Sequence, residues 1–269
     1  MRDLIFRCTR GRGLAPLHLS LFTLHVFLAP PPAPAQAPIA DNSFLIEEAY
    51  NQEAGVVQHI STLSRPDRGE AWDFSFTQEW PLDGRSHQLG FTMPVSYMEG
   101  TGTGIGDVAL HYRHQLAGRD AAPLFVAPRL SLLLPTGSEA AGRGAGALGV
   151  QANLPVSYVL APALAAHWNA GATLGTGETT LDFNLGASAV WRLRPAFNVL
   201  VEAVWLEDGE GERTVLNPGI RWAHDLSGGL QIVPGLAYTI DLGPGSAGDG
   251  LFLYLSVEHP FRQTAPGPS

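Results

Sequence analysis

Cysteine is nearly absent from this sequence. The single one, Cys8, lies in a basic start ahead of an apolar stretch, so it cannot be the lipid-bearing first residue of a lipoprotein. Removal of that start would leave a chain with no disulfide, no thiol chemistry and no cysteine-ligated metal. Charge is also scarce. Only 15% of the 269 residues are charged, against about a quarter in soluble proteins. The net charge of −9 disfavours nucleic acid as a partner, because phosphate binding depends on an excess of Lys and Arg. Past the first 35 residues no apolar run is long enough for a spanning helix. Glycine, by contrast, is plentiful at 31 residues, which favours turns and close backbone approaches over helices.

The first 35 residues have the layout of a secretion signal. Arg2, Arg7, Arg10 and Arg12 precede a mostly apolar Leu14–Leu28 stretch, and Ala33-Pro34-Ala35 offers an A-x-A cleavage site. His18 and His25 interrupt the apolar stretch and make it a poor membrane anchor.

The rest of the chain repeats a period of two. Trp72, Phe74, Phe76 and Trp80 alternate with Asp73, Ser75, Thr77 and Glu79. Similar alternation runs through 85–98, 105–117, 147–159, 179–193, 196–206 and 250–261. Each such stretch predicts a strand with one oily and one wet face. About twelve strands are expected between 54 and 261, an even number that suits a bacterial transmembrane barrel with both termini on the periplasmic side. Every second connection should then be short, and most are: Asp83-Gly84, Ala161-Pro162, Arg194-Pro195 and Ser227-Gly228. Trp80, Tyr158, Trp191, Trp222 and Phe261 fall near one set of strand ends, and Trp72, Tyr97, Trp205 and Tyr238 near the other. Two aromatic girdles of this kind mark membrane boundaries.

The competing architecture is a soluble sandwich or lipocalin-like barrel with the oily faces turned inward. In a barrel facing lipid, the opposite face would line a watery lumen with Asp107, His111, Arg113, Arg129, Asn153, Asp182, Asn184, Arg192, Glu202 and Arg221. Long side chains such as Arg113, Arg129, Arg192 and Arg221 are costly to bury unpaired, and this favours the membrane barrel. Their mixed signs argue against a strong single-charge filter. Closure also leaves no unpaired backbone edge in lipid.

Residues 36–53 do not alternate. Asn42 or Ser43 could cap a short helix there, and Phe44, Leu45, Glu48 and Tyr50 could form a periplasmic cap or a plug. The tail 262–269, ending Pro266-Gly267-Pro268-Ser269, is expected to be disordered. The expected layout is therefore a signal at 1–35, a cap or plug at 36–53 and an all-β barrel at 54–261.

Catalytic and cofactor patterns are weak. Gly144-Ala145-Gly146-Ala147-Leu148-Gly149 has the spacing of a nucleotide loop but opens a strand, not a helix, and is read as a flexible external loop. The Gly100–Gly106 run is read the same way. His111 and His114 stand three apart on a strand and should face opposite sides. Glu207, Asp208, Glu210 and Glu212 lack the spacing of a calcium loop. No catalytic set, metal site or cofactor is expected.

Three stretches carry a resemblance. They are Asp41-Asn42-Ser43-Phe44-Leu45-Ile46-Glu47-Glu48-Ala49-Tyr50-Asn51-Gln52-Glu53, Gly104-Ile105-Gly106-Asp107, and Leu134-Pro135-Thr136-Gly137. They resemble features of outer-membrane transporters related to the "MetA-pathway of phenol degradation" family. The resemblance implies a Gram-negative outer-membrane barrel that passes small molecules, aromatic or hydrophobic ones among them, with no catalytic residue. Partners implied by that location are outer-membrane lipid, lipopolysaccharide and the barrel-assembly machinery, together with a small-molecule solute and no nucleic acid. The alternatives are a structural or lipid-interacting barrel with a blocked lumen and, third, a lipid-modifying enzyme.

Overall fold

The computed structural model describes residues 41–118, 122–175, 181–209, 211–243 and 248–261. The expected signal at 1–35 and the expected disordered tail at 262–269 lie outside these residues.

Fifteen strand segments follow one another: β1 (Val56–Pro66), β2 (Trp72–Asp83), β3 (His87–Met98), β4 (Gly102–Ile105), β5 (Val108–His114), β6 (Leu124–Val126), β7 (Arg129–Leu134), β8 (Gly149–Ala161), β9 (Leu164–Gly175), β10 (Leu181–Arg194), β11 (Phe197–Asp208), β12 (Gly211–Trp222), β13 (His224–Asp225), β14 (Gln231–Asp241) and β15 (Gly250–Pro260). They build a closed antiparallel barrel of twelve staves. Three staves are broken: β4 with β5 at Gly106-Asp107, β6 with β7 at Ala127-Pro128, and β12 with β13 at Ala223. Pro128 lacks an N–H for the ladder, and its carbonyl still accepts from His114 N at 3.0 Å. The first and last strands close the sheet in continuous register, from Val56 opposite Pro260 to Pro66 opposite Gly250.

The faces are inverted relative to a soluble protein. Leu130, Leu185 and Trp191 are more than half exposed on the outer wall, whereas Gln58, Asn153, Asn198, Glu202, Asn217 and Arg221 are buried on the inner wall. The girdle residues point outward. Trp72 and Tyr97 stack at 6.4 Å between centroids at one end of the barrel, and Tyr158 and Trp191 are exposed at the opposite end. An oily exterior on a closed sheet is what a hydrocarbon environment requires, since closure leaves no free sheet edge facing lipid. Placing a charge there tests it directly. Leu185→Arg, on the middle of β10, is expected to cost about 2–4 kcal/mol in a lipid bilayer. Urea unfolding from vesicles reads this; an unchanged midpoint would mean that this face does not meet lipid.

The interior differs from the expected watery hollow. Its inner half is filled by residues 41–53, and a small apolar core of Phe44, Ile60, Val190, Leu200, Ala237, Phe252 and Tyr254 sits inside the lumen. Inward-facing glycines make room for it. A Cβ on Gly219 or Gly235 would collide with the Phe44 ring, and one on Gly186 with Ile46.

Candidate functional site: the plugged lumen

Residues 41–53 thread the barrel as an irregular extended segment, without the short helix that Asn42 or Ser43 could have capped. Such a segment has backbone groups that no helix or ladder satisfies, and buried ones must find partners. The wall supplies them. Glu202 Oε1 accepts from Leu45 N at 2.7 Å and Ile46 N at 2.9 Å. Asn169 takes Glu47 N at 2.9 Å and donates to Glu47 O at 2.9 Å. Ser157 accepts from Ala49 N at 2.7 Å, and Gln115 and Gln88 accept from Asn51 N and Gln52 N at 3.0 and 2.7 Å. Arg221 Nη1 donates to the carbonyls of Asp41 and Asn42 at 2.9 and 2.6 Å, and Arg113 Nη2 to that of Tyr50 at 2.6 Å.

Ion pairs complete the anchorage. Glu48 meets Arg221 at 3.0 Å with both side chains 2% exposed or less. Glu47 meets Arg129 at 2.9 Å and lies 3.9 Å from Arg113. Tyr254 donates to Asp41 at 2.6 Å. Burial pushes the Asp41 carboxyl above its ordinary range, and the Arg221 charge opposes that shift.

The ten residues assigned to the lumen therefore separate into groups. Arg113, Asn153, Glu202 and Arg221 are occupied with the plug. Asn184 is buried on the inner wall, and Arg192 lies further along the same strand, near its C-terminal end. His111, Arg129, Asp107 and Asp182 line open space above the plug, and Arg129 also holds the plug through Glu47. Of the expected plug residues, Phe44 and Glu48 are buried, Leu45 packs against the apolar core, and Tyr50 meets Phe125 edge-on at 4.8 Å. Sequence reasoning missed Gln88, Gln115, Ser157 and Asn169. Their signal was an excess of Asn, Gln and Ser at inward positions, where plain hydration needs no particular side chain. His114 faces outward and stacks on His87 at 4.8 Å, away from His111.

Above the plug lies a cavity of about 570 Å³ with Asn42–Glu47 as its floor. A belt of side-chain hydrogen bonds crosses its wall. Thr77 and Thr92 meet at 2.7 Å, Thr92 and His111 Nε2 at 2.9 Å, and His111 Nδ1 and Ser131 at 2.8 Å. Arg129 reaches His111 Nδ1 at 3.0 Å and Gln151 at 2.7 Å, and Gln151 donates to Thr173 at 2.9 Å. A guanidinium only donates, so this contact makes Nδ1 the acceptor and leaves the proton of a neutral ring on Nε2.

The roof is the β7–β8 connection, which runs inward over the cavity instead of standing free as a flexible external loop. Glu139 and Gly142–Ala147 line the cavity from above. Asp107 holds the loop: its Oδ1 accepts from Gly137 N at 2.9 Å and its Oδ2 from Ala145 N at 2.8 Å. Thr136 Oγ1 donates to Gly106 O at 2.8 Å and accepts from Val108 N at 2.9 Å. Arg143 from the loop reaches the Gly102 carbonyl. A Cβ on Gly104 would stand 2.9 Å from the Arg143 side chain. Gly104–Asp107 and Leu134–Gly137 are thus two halves of one latch. The Gly102–Ile105 part of the glycine run is itself a strand paired with β3, not a flexible loop.

Asp107→Ala would orphan two N–H groups at about 1–3 kcal/mol each. Trypsin is expected to cut after Arg143 in this variant and to spare the parent protein, with the barrel's melting unchanged. Equal resistance of the two proteins would show that Asp107 does not hold the loop.

No family model matches the chain, and no curated protein matches it. Solved structures do. An outer-membrane channel of the COG4313 group from Pseudomonas putida F1 superposes with a TM-score of 0.56 at 12% identity, over 78% of this chain and 97% of that one. The NanC porin gives 0.53 at 8% identity, over 76% and 98%. The KdgM porin gives 0.50 at 6% identity, over 77% and 99%. The fold is that of an outer-membrane β-barrel. At such identities the likeness concerns the fold of the barrel alone.

Proposed function

We propose that the barrel is a channel of a Gram-negative outer membrane, passing small molecules through a lumen that the 41–53 segment closes. The observation that carries this reading is the way the segment is held. Its backbone is bonded to side chains of the wall and adds no strand to it. A wall bonded to a removable strap can exchange those bonds for water, which a permanent apolar core cannot do without large cost. The fold neighbours are porins and a channel, and the resemblance of residues 41–53, 104–107 and 134–137 to the phenol-degradation-pathway barrel family supports the same reading. Aromatic or hydrophobic solutes follow from that resemblance, and the aromatic cluster of Phe44, Phe252 and Tyr254 at the cavity floor accords with them.

The buried Glu48–Arg221 pair favours a second reading, a structural barrel whose lumen stays shut. Planar-bilayer recording of the full protein and of a chain lacking 41–53 separates the two. Conductance that appears on deletion supports a gated channel; silence in both supports the closed barrel.

A further inference from the structure

We propose that Asp41 is a proton-binding site that seats the strap, so that the lumen closes as the pH falls and opens as it rises. The proposal deepens the channel reading, on which its effect on conductance rests.

Asp41 is the first residue of the 41–53 strap and is 4% exposed. Its carboxyl is held from one side. Oδ1 accepts from Tyr254 Oη at 2.6 Å, from Gln58 Nε2 at 2.6 Å and from Asn42 N at 2.8 Å. Oδ2 is buried and has no hydrogen-bond partner. Arg221 reaches the backbone carbonyl of Asp41 at 2.9 Å and pairs with Glu48, not with the Asp41 carboxyl. A proton on Oδ2 leaves the donors on Oδ1 in place and removes a charge that burial penalises.

The groups packed around Asp41 do not supply a spare counter-ion. Gln58 of β1 and Tyr254 of β15 present neutral donors. Glu258 of β15 has a contact with Gln52 at 3.3 Å, and Glu79 of β2 shares Arg113 with Glu47, each at 3.9 Å. Glu202 of β11 is occupied by the N–H groups of Leu45 and Ile46. Arg221 of β12 is the cation beside Asp41, and Glu48 of the strap claims it at 3.0 Å. His167 of β9 stands beyond, 3.7 Å from Glu48.

The direction of the pH effect follows from burial. Seated in the barrel, the Asp41 carboxyl is pushed above its ordinary range. Released into water, it returns to an ordinary value near ~3.9. The seated state therefore binds the proton more tightly than the released state. Its contribution to seating is fully present below that ordinary value and is lost as the pH rises through the seated one. Within this window one proton changes the closed-to-open ratio by up to about tenfold per pH unit.

The test is planar-bilayer recording of the full chain from about pH 8 to about pH 4, a range that spans the ordinary carboxylate and histidine values. The parent protein is expected to close as the pH falls. Asp41→Asn is uncharged at every pH, so it should stay closed and lose most of the profile. Tyr254→Phe removes a donor to the ionised carboxyl and should move the midpoint to higher pH, which keeps the proposal testable if the Asn variant does not fold. Histidine also titrates in this range, so His167→Gln is the control and should keep the Asp41 part of the profile. A profile unchanged in both Asp41→Asn and Tyr254→Phe, or one abolished by His167→Gln alone, would overturn the proposal. Melting in detergent keeps the two readings apart. The parent should lose stability relative to Asp41→Asn as the pH rises, whether or not it conducts. That difference in a barrel silent with and without residues 41–53 defeats the channel and leaves the proton site. Conductance that appears on deletion, with Asp41→Asn matching the parent at every pH in both measurements, does the reverse.

Discussion

A chain that lacks residues 41–53 is expected to conduct about tenfold or more above the parent protein, because a twelve-stave barrel emptied of its strap leaves an aqueous bore wider than an eight-strand barrel, whose interior side chains fill. The wall should survive the deletion. No strand of the sheet comes from these residues, and closure is made by β1 against β15. Among the groups that lose partners are Glu202, Asn169, Ser157, Gln115, Gln88, Arg113, Arg129, Tyr254 and Arg221. All face a bore that water then fills, so most of their bonds are replaced and not lost. The apolar part of the plug is different. Phe44 and Ile46 give up buried surface worth about 1.5–3 kcal/mol each, and Ile60, Leu200 and Phe252 become wet. The melting temperature should therefore fall while the folded, heat-modifiable band persists on gels. A truncated barrel that folds and still conducts at the parent level would show that the strap is not what closes the lumen.

Arg221→Met is expected to act on the same contact through a single side chain. Arg221 bridges Glu48 at 3.0 Å and the carbonyls of Asp41 and Asn42 at 2.9 and 2.6 Å, and it is 1% exposed. Removing it strands the Glu48 carboxylate and two carbonyls in a site that water reaches poorly. Losing one partner of a buried pair costs about 3–5 kcal/mol. Asp41, already pushed up by burial and held back by this guanidinium, rises further and takes up a proton at higher pH. The penalty can be escaped by releasing the strap into water, so the variant should show frequent openings in bilayer recordings as well as reduced thermal stability. Adding Glu48→Gln removes the stranded charge. The double variant should recover part of the loss, and the cycle reads the coupling directly. A single variant as stable and as closed as the parent would show that the pair contributes nothing to the closure.

Several features were legible without coordinates for a physical reason. Period-two alternation places Leu181, Phe183 and Leu185 on one face and Asp182 and Asn184 on the other, whatever the neighbours are. The inward positions of all ten assigned lumen residues follow from this parity. Their roles did not follow. Arg113, Glu202 and Arg221 bond a strap distant in sequence; Glu202 and Ile46 are 156 residues apart. No local pattern reveals such a pairing. The same holds for Asp107 and Ala145, and for the roof loop, whose glycines are as compatible with a free loop as with one drawn inward. The short helix expected near Asn42 failed for a related reason: Asn169, Ser157 and Glu202 take the N–H groups that a helix would have used.

Taken alone, the amino-acid order determines an exported all-β chain whose oily and wet residues alternate, and hence a closed wall that faces lipid. That conclusion needs only the two-residue repeat of a strand and the cost of unpaired backbone in hydrocarbon. Whether the bore is open, where its charges cluster and what closes its inner half were decided in three dimensions. Each depends on side chains from many staves meeting one irregular segment, and closure of the barrel is what brings them within reach.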